Sequence, residues 1–282
     1  MPLPLVVGVD GSDTGLLAVD WAADEAVRLG LPLRIVHASL WERYEDLLPS
    51  LGEERPAPRV MAEHIVATAA ERAGRRAPNL DIGSVVLAED PVAALLAEGD
   101  NATALVTGSR GRGGLKSLLL GSVALAVAGR ARGPVIVVRG DAAGTEGTHD
   151  RVLLGVGEPG AAATAARFAV REAAARRCVL DAVRAWRRTA RAAVGRDDAD
   201  EAAAAIDELL GPALAGQPGV RVSRTVLEGP PGKVLLHRSA AADLLVVGVR
   251  REHGRGGLQL GRVTHRLLHH ALCPVAVVPR LP

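Results

Sequence analysis

Short apolar runs alternate with longer amphipathic segments along the whole chain. The run at 3–9 has the length of a buried strand, and the segment at 13–29 carries apolar residues near helical spacing. Asp13 is the predicted N-cap of this helix, and Asp90 before Pro91 marks the start of another. The same patterns predict further strands at 33–38, 84–88, 104–108 and 134–138, and further helices at 60–76, 91–98 and 121–131.

The second half of the chain follows the same order of elements. Its strands are predicted near 151–156, 179–185, 220–227, 243–248 and 274–278. Strands that alternate with helices predict an open parallel sheet covered on both faces, which right-handed crossovers make doubly wound. Ligands of such sheets bind at the carboxyl ends of the strands, where the strand order reverses. A ligand is therefore expected beside the loops that follow the first and fourth strands.

The two halves are repeats of one another. The run LVVGVD at 5–10 resembles VLLGVG at 152–157, a shift of 147, whereas LVTG at 105–108 matches LVVG at 245–248, a shift of 140. A longer loop around 40–58 in the first half accounts for the difference. The comparison predicts one domain at 1–140 and a second at 150–282, joined by a flexible Gly/Ala/Thr-rich linker at 141–149.

Composition narrows the classes of function. Aromatic residues make up only 2% of the 282 residues, which argues against a stacking platform for single-stranded nucleic acid. The net charge of +2 does not demand a polyanionic partner, so no nucleic-acid partner is expected. Two cysteines, Cys178 and Cys273, exclude a disulfide framework and an all-cysteine zinc site, and we expect both to pack as small apolar groups.

The sequence gives no sign of membrane targeting. The opening residues MPLPLVVG lack a basic segment followed by a long apolar one, so no signal peptide is predicted. No run of 18 uncharged apolar residues is present, so no membrane partner is expected. The default expectation is a cytoplasmic protein.

The chemistry is concentrated after the fourth predicted strand. Gly108 and Gly111 are followed, nine residues later, by Gly121 and Ser122. Glycine lets backbone amides approach a ligand closely, and the free N–H groups and dipole of a helix start favour phosphate. The Ser122 hydroxyl adds a hydrogen bond, and Asp10, at the end of the first strand, is placed to accept hydrogen bonds from ribose hydroxyls.

Basic residues in the same loop suit a polyphosphate. Arg110, Arg112 and Lys116 lie between the glycines, where they can neutralise phosphate charge. Glycines that only make turns would explain the loop equally well if it stood alone. Asp10 and the predicted order of strands and helices around the loop favour nucleotide binding.

The spacing of these glycines resembles the nucleotide-binding motif of the ATP-binding universal stress proteins. The segments VGVDGS at 7–12 and LRIVHA at 33–38 are similar to that family as well, and the resemblance covers essentially the whole chain as a tandem of two domains. It implies an α/β fold with two doubly wound domains, each a five-stranded parallel sheet of order 3-2-1-4-5 flanked by helices. It also implies pairing of the fifth strands, here 135–138 with 275–278 within one chain, and leaves a homodimer open.

The resemblance implies an adenine nucleotide, ATP with Mg²⁺, as ligand of the first domain. Asp10 would lie at the ribose and Ala38 beside the adenine, while Gly121 and Ser122 would hold phosphates. The full set of implied cofactor-binding residues is Gly8, Val9, Asp10, Ala38, Gly108, Ser109, Arg110, Gly111, Arg112, Gly113, Gly114, Gly121, Ser122 and Val123.

The second domain departs from this motif. Gly157 stands where the ribose-binding aspartate belongs, Arg251 replaces the second glycine, and Arg262 replaces the serine. We therefore predict that this domain does not bind ATP in the family manner. Its arginines (Arg250, Arg251, Arg255 and Arg262) leave two alternatives open, a solvated basic loop or a site for another anion.

Three functions remain open at this point. The first is a regulatory protein for which ATP is a sensor ligand, with no catalytic residue assigned, because no assembled general base is evident. The second is a slow ATPase or a nucleotidyl transferase that uses the same pocket. The third is a structural or interaction protein that binds no nucleotide.

Histidines give weaker signals. His265 and His269 lie four residues apart on a predicted helix, with His270 beside them, and share a face that could bind a metal. An ordinary helix surface or an interdomain face is the favoured interpretation, and no metal site is predicted. His37, on the second strand, is interpreted as a packed residue rather than a catalyst.

Overall fold

The computed structural model describes residues 2–40, 57–111, 120–157, 159–186, 197–249 and 260–280. The chain divides into two compact units, Met1–Val138 and Arg139–Pro282. Each unit contains five parallel strands with helices packed against them, which confirms the predicted fold class. None of the helices within these ranges is long and apolar enough to cross a membrane.

The first unit begins with β1 and has the strand order β3-β2-β1-β4-β5. Its strands are β1 (Leu5–Gly8), β2 (Leu33–Ala38), β3 (Ile82–Leu87), β4 (Ala104–Gly108) and β5 (Val135–Val138). Its helices are α1 (Asp13–Leu29), α2 (Ala57–Arg76), α3 (Pro91–Gly99) and α4 (Ser122–Arg130). The order reverses between β1 and β4, so the carboxyl ends of these two strands flank the crevice where a ligand is expected.

The second unit repeats this order as β8-β7-β6-β9-β10. Its strands are β6 (Arg151–Gly155), β7 (Val179–Trp186), β8 (Arg221–Glu228), β9 (Leu244–Val249) and β10 (Val275–Pro279). Its helices are α5 (Ala142–Glu146), α6 (Pro159–Arg176), α7 (Asp197–Leu214), α8 (Pro231–Arg238) and α9 (Arg262–His270), with a 3₁₀ turn at Ser239–Ala241.

The core of each unit follows from the apolar runs. The central strands are buried on both faces, as Leu5, Val6 and Val7 illustrate with no exposed surface. Parallel strands that helices cover on both sides read as continuous apolar sequence rather than as an alternating pattern. Cys178 and Cys273 are buried as expected, and burial raises the pKa of both thiols.

One local expectation about helix capping is wrong and another is confirmed. The N-cap of α1 is Ser12 rather than Asp13, because Ser12 has extended backbone angles and its Oγ accepts a hydrogen bond from the Gly15 N–H at 3.1 Å. Asp90, by contrast, caps α3 as predicted, since its carboxylate accepts from the amides of Val92 and Ala93, each at 3.0 Å.

The segment predicted as a flexible connector at 141–149 contains the short helix α5. Asp141 caps it by accepting a hydrogen bond from the Gly144 N–H at 2.9 Å. Gly144 lies so close to the rest of the second unit that a Cβ there would come within 2.6 Å of the Leu272 carbonyl oxygen. The segment is therefore an ordered part of the second unit over 142–146.

Candidate functional site

A cavity of about 560 Å³ opens in the first unit at the carboxyl ends of β1 and β4. This volume lies within the ~300–1,000 Å³ that small-molecule sites usually occupy. Ten of the residues predicted from the sequence line it: Gly8, Val9, Asp10, Ala38, Gly108, Arg110, Gly111, Gly121, Ser122 and Val123. Ser109 supplies a carbonyl beside the cavity, whereas Arg112, Gly113, Gly114 and Lys116 lie outside the described residues.

One side of the cavity, the apolar wall, consists of Val36, Ala38, Pro91 and Leu95. Of these only Ala38 was expected from the sequence. Gly8 faces this wall, and a Cβ at Gly8 would come within 2.9 Å of both Leu95 methyl carbons. The missing side chain therefore lets α3 approach the sheet and leaves a flat apolar surface beside β1. Periodicity alone gave no signal for Leu95, because its position depends on how α3 packs.

A second part of the cavity lining is the start of α4, here called the amide wall and formed by residues 121–124. Gly121 is the N-cap, with φ −64° and ψ 147°, and no side chain caps this helix end. Its own N–H donates to the Ser109 carbonyl at 2.9 Å, which holds the loop after β4 against the helix start. The next amides point out of the helix with its positive dipole end, which suits a negatively charged group.

Two glycines of the motif are required by the protein's own packing. A Cβ at Gly108 would lie 2.6 Å from the Thr14 carbonyl oxygen, and one at Gly111 would lie 2.5 Å from Oδ2 of Asp10. Gly121 differs from both, because among the described residues the atom nearest to its Cβ position is the Arg110 Cα at 3.5 Å, an ordinary van der Waals contact. Packing among the described residues therefore does not require glycine at position 121, whereas Gly108 and Gly111 permit close approach of α1 and of the Asp10 carboxylate.

Hydrogen bonds join the turn between β1 and α1 to the loop after β4. Asp10 Oδ1 accepts from the Ser12 backbone N–H at 3.0 Å and from the Ser12 hydroxyl at 2.6 Å. Thr14 donates its hydroxyl to the Arg110 carbonyl. These contacts fix the Asp10 carboxylate at the cavity and restrain Arg110 beside it. Sequence reasoning missed Ser12 and Thr14, since a side chain that positions a neighbour has no motif of its own.

Asp10 is the carboxylate among the described lining residues. No group of three or more His, Cys, Asp or Glu side chains that could hold a metal ion occurs within the described ranges. Mg²⁺ usually takes one or two carboxylates together with substrate phosphates and water. The site therefore fits a magnesium ion that arrives with a polyphosphate and does not fit a metal held by protein ligands alone.

The corresponding region of the second unit keeps the framework but has no counterpart of the Asp10 carboxylate or of the Ser122 hydroxyl. A Cβ at Gly155 would lie 2.9 Å from a Leu235 methyl carbon, which repeats the contact between Gly8 and Leu95. Gly261 caps α9 with φ −57° and ψ 154°, again without a side-chain cap, and exposed Arg262 follows it. Gly157 removes the carboxylate, while Arg250, Arg251 and Arg255 lie outside the described residues.

The histidines take separate positions. His37 Nδ1 lies 2.8 Å from the Val9 carbonyl oxygen, so the ring ties β2 to the end of β1. On α9 the rings of His265 and His269 stack with centroids 4.4 Å apart. Burial lowers the pKa of His269, and the positive charges of His265, His270 and Arg139 lower it further.

Comparison with known proteins agrees with this architecture. The model of the universal stress protein family matches the chain twice, over residues 1–139 and 148–279. A universal stress protein of Mycobacterium tuberculosis is 33% identical over 289 residues, covering 97% of this chain and 96% of its own. One from Mycolicibacterium smegmatis is 31% identical over 286 residues, again covering 97% of this chain and 96% of the relative.

One solved structure shows the same fold over nearly the whole chain. A universal stress protein of Archaeoglobus fulgidus superposes with a TM-score of 0.73 over 99% of this chain and 98% of its own, at 19% identity. Another from that organism, solved in complex with dAMP, covers 49% of this chain and 98% of its own, with 26% identity and a TM-score of 0.38. Because two adjacent family matches account for both units, this chain belongs to the universal stress protein family as a tandem of two such domains.

Proposed function

We propose that the first unit holds one adenine nucleotide, ATP with Mg²⁺, as a regulatory ligand, and that the second unit does not bind nucleotide in this way. The observation that carries the proposal is one cavity lined by an apolar wall, by the Asp10 carboxylate and by an uncapped helix start. Asp10 follows β1, which lies between β2 of the apolar wall and β4 in the sheet. An adenine ring, a ribose and a phosphate chain need these three surroundings.

The geometry supports one orientation of the nucleotide. The adenine would lie against the apolar wall, beside Ala38, where ring stacking on flat aliphatic surface removes apolar area from water. The ribose hydroxyls would donate to Asp10, which Ser12 holds in place. The phosphates would accept from the amides of residues 121–124 and from the Ser122 hydroxyl, with Arg110 adding charge.

A regulatory role fits this lining better than rapid catalysis. The described lining residues include one acid, Asp10, and no histidine, lysine or cysteine that could serve as a general base. Asp10 itself accepts two hydrogen bonds from Ser12, so its carboxylate is engaged in holding the site. ATP would favour one arrangement of the loop after β4 and thereby alter binding of a partner or self-association.

Native mass spectrometry of the freshly purified full chain tests the proposal. We expect one adenine nucleotide per polypeptide, either already bound or acquired on addition of ATP with Mg²⁺. Absence of any nucleotide under both conditions would overturn the proposal and leave a structural role. Steady-state phosphate release near the ~10 per second of an ordinary enzyme would overturn the regulatory interpretation in favour of an ATPase.

A further inference from the structure

The wall of the same cavity contains a buried hydroxyl that the fold does not use. Thr107 on β4 is 4% exposed, and its Oγ1 has no hydrogen-bond partner among the described residues. A buried polar atom without a partner destabilises a protein, and each such group in a native structure calls for an explanation. A hydroxyl at the edge of a binding cavity is explained if a ligand supplies the missing partner.

The sheet geometry directs this side chain toward the cavity. Side chains alternate between the two faces of a strand, and position 108 faces α1, because a Cβ there would meet the Thr14 carbonyl. Thr107 therefore faces the side of α3 and α4. It stands in register with Gly8 of β1 on one side and Val137 of β5 on the other. Thr107 lines the cavity on this side of the sheet, together with Gly8 and Leu95.

The repeat shows that the fold itself does not need this hydroxyl. Val247 occupies the corresponding position on β9 of the second unit and is 5% exposed. Valine has nearly the shape of threonine, so the same packing position accepts an apolar side chain. The hydroxyl thus occurs in the unit that keeps Asp10 and Ser122 and is missing from the unit that has lost both.

Threonine can present either of its two branches to the cavity. The Thr107 hydroxyl has almost no accessible surface, so the exposed part of the residue belongs to its other atoms. Rotation about the Cα–Cβ bond exchanges methyl and hydroxyl between staggered positions, which are both populated by threonine. A ligand oxygen above Thr107 would favour the rotamer that directs the hydroxyl into the cavity.

We propose that Thr107 determines specificity at this site by donating a hydrogen bond to the phosphate that is attached to the sugar. The inference rests on the proposed nucleotide binding. In the sheet, β4 with Thr107 lies between β1 and β5. Val36 of the apolar wall is on β2, where it pairs with Gly8 from the other side of β1. The helix α4 packs against β5, so Thr107 lies between the strand of the apolar wall and the strand that α4 covers. The phosphate chain must pass this position between the apolar wall and the amide wall. The hydroxyl thus selects a phosphorylated nucleoside over the free nucleoside.

Titration calorimetry of the full chain with AMP and with adenosine tests this assignment. Thr107→Val removes the hydroxyl and keeps the shape, Thr107→Ser keeps the hydroxyl, and Thr103→Val is the control, since Thr103 bonds the Leu3 carbonyl away from the cavity. We expect Thr107→Val to weaken AMP binding roughly 10- to 100-fold, as for a lost hydrogen bond to a charged group. Adenosine binding by the Thr107→Val variant should change by less than about threefold. The affinity of the Thr107→Ser and Thr103→Val variants for AMP should also change by less than about threefold.

The thermal midpoint of the ligand-free protein gives a second readout. Thr107→Val should leave this midpoint unchanged or raise it, because it removes a buried hydroxyl that lacks a partner. A lowered midpoint together with equal losses for AMP and adenosine would show a structural role and overturn the assignment. If the Thr107→Val variant binds AMP as tightly as the wild type does, the assignment of Thr107 is overturned, whereas the proposed nucleotide binding by the wild type still stands. Failure of the wild type to bind either compound would overturn the proposed function and this inference together.

Discussion

The two units share one topology, but one ion pair between a strand and a helix has its charges exchanged between them. In the first unit Arg34 on β2 forms a bidentate ion pair with Glu98 on α3, at 2.7 and 2.9 Å. The shifts of 147 and 140 place Asp181 on β7 and Arg238 on α8 at these positions, and they form an ion pair of reversed polarity. The fold at this contact therefore requires complementary charges and does not specify which element carries which sign.

The reversal changes the environment of the acid. The Asp181 side chain has no exposed surface and is contacted by Arg151 and Arg238 and by the Thr225 hydroxyl at 2.9 Å. Arg34 and Glu98 are 37% and 19% exposed, so water screens that pair more strongly. A buried acid needs several donors, which explains why the second unit surrounds Asp181 with three polar groups.

The candidate cavity of the first unit shows that residues in contact also change together between the units. Asp10, Ser12 and Thr14 correspond to glycine, proline and alanine at positions 157, 159 and 161. Position 251, the counterpart of Gly111, is arginine. Since a Cβ at Gly111 would overlap Asp10, loss of the acid in the second unit removes the reason for a glycine. The two replacements are therefore physically linked.

The largest effect on stability is expected from the buried acid. Asp181→Ala should lower the free energy of unfolding by about 3 kcal/mol, because it leaves two arginines and the half-buried Thr225 hydroxyl without their acceptor. Arg34→Ala should cost only about 1 kcal/mol. Urea denaturation of the full chain measures both, with Asp207→Ala at an exposed pair as control. Equal losses of unfolding free energy for Asp181→Ala and Arg34→Ala would contradict the expected effect of burial.

The largest effect on binding is expected at the helix starts. Gly121→Val should reduce ATP affinity by more than about 100-fold, because its side chain would cover the amide wall. The fold should persist, since the nearest atom of the described residues to the new Cβ lies 3.5 Å away. The matched change Gly261→Val should leave ATP stoichiometry unaltered in native mass spectrometry. Loss of bound nucleotide in the Gly261 variant would place a ligand in the second unit.

A double-mutant cycle at Asp10 and Gly111 probes their linkage. Gly111→Ala alone should lower stability by about 1 kcal/mol, because its Cβ displaces the Asp10 carboxylate, which can rotate away. In the Asp10→Gly background the same change should cost close to nothing, so the two effects are not additive. Thermal unfolding of the four proteins gives the coupling. Additive effects would show that Gly111 is required for another reason.

A smaller effect is expected from His269 in the second unit. Its pKa is lowered by burial and by positive neighbours, so the unfolded chain binds a proton more readily than the folded one. Its contribution to stability is complete above the unfolded pKa of ~6.5 and is lost as pH falls through the folded value. His269→Leu should flatten the stability profile below that pH, whereas the exposed His265→Gln, which removes only one of the neighbouring positive charges, should flatten it less. Matching profiles for both variants would exclude His269 as the source.

Periodicity was enough to predict much of the framework. The bounds of α1 and β2 were predicted to the residue, because the apolar spacing along a short segment reports the faces that the segment must bury. The spacing of Gly108, Gly111 and Gly121 located the candidate site, since glycine marks backbone that must approach something closely. The order of the strands came from the resemblance to a family, because periodicity does not say which strands are neighbours.

The tertiary structure decided what each of these positions contacts. The sequence by itself determined the alternation of elements, the repeat and the glycine loop, all of which are encoded within short stretches of chain. That Gly111 makes room for Asp10, that Leu95 covers Gly8 and that Thr107 borders the cavity follows only from the packing of distant segments. Local spacing is set by the geometry of a single helix or strand, whereas such contacts depend on how the helices pack against the sheet.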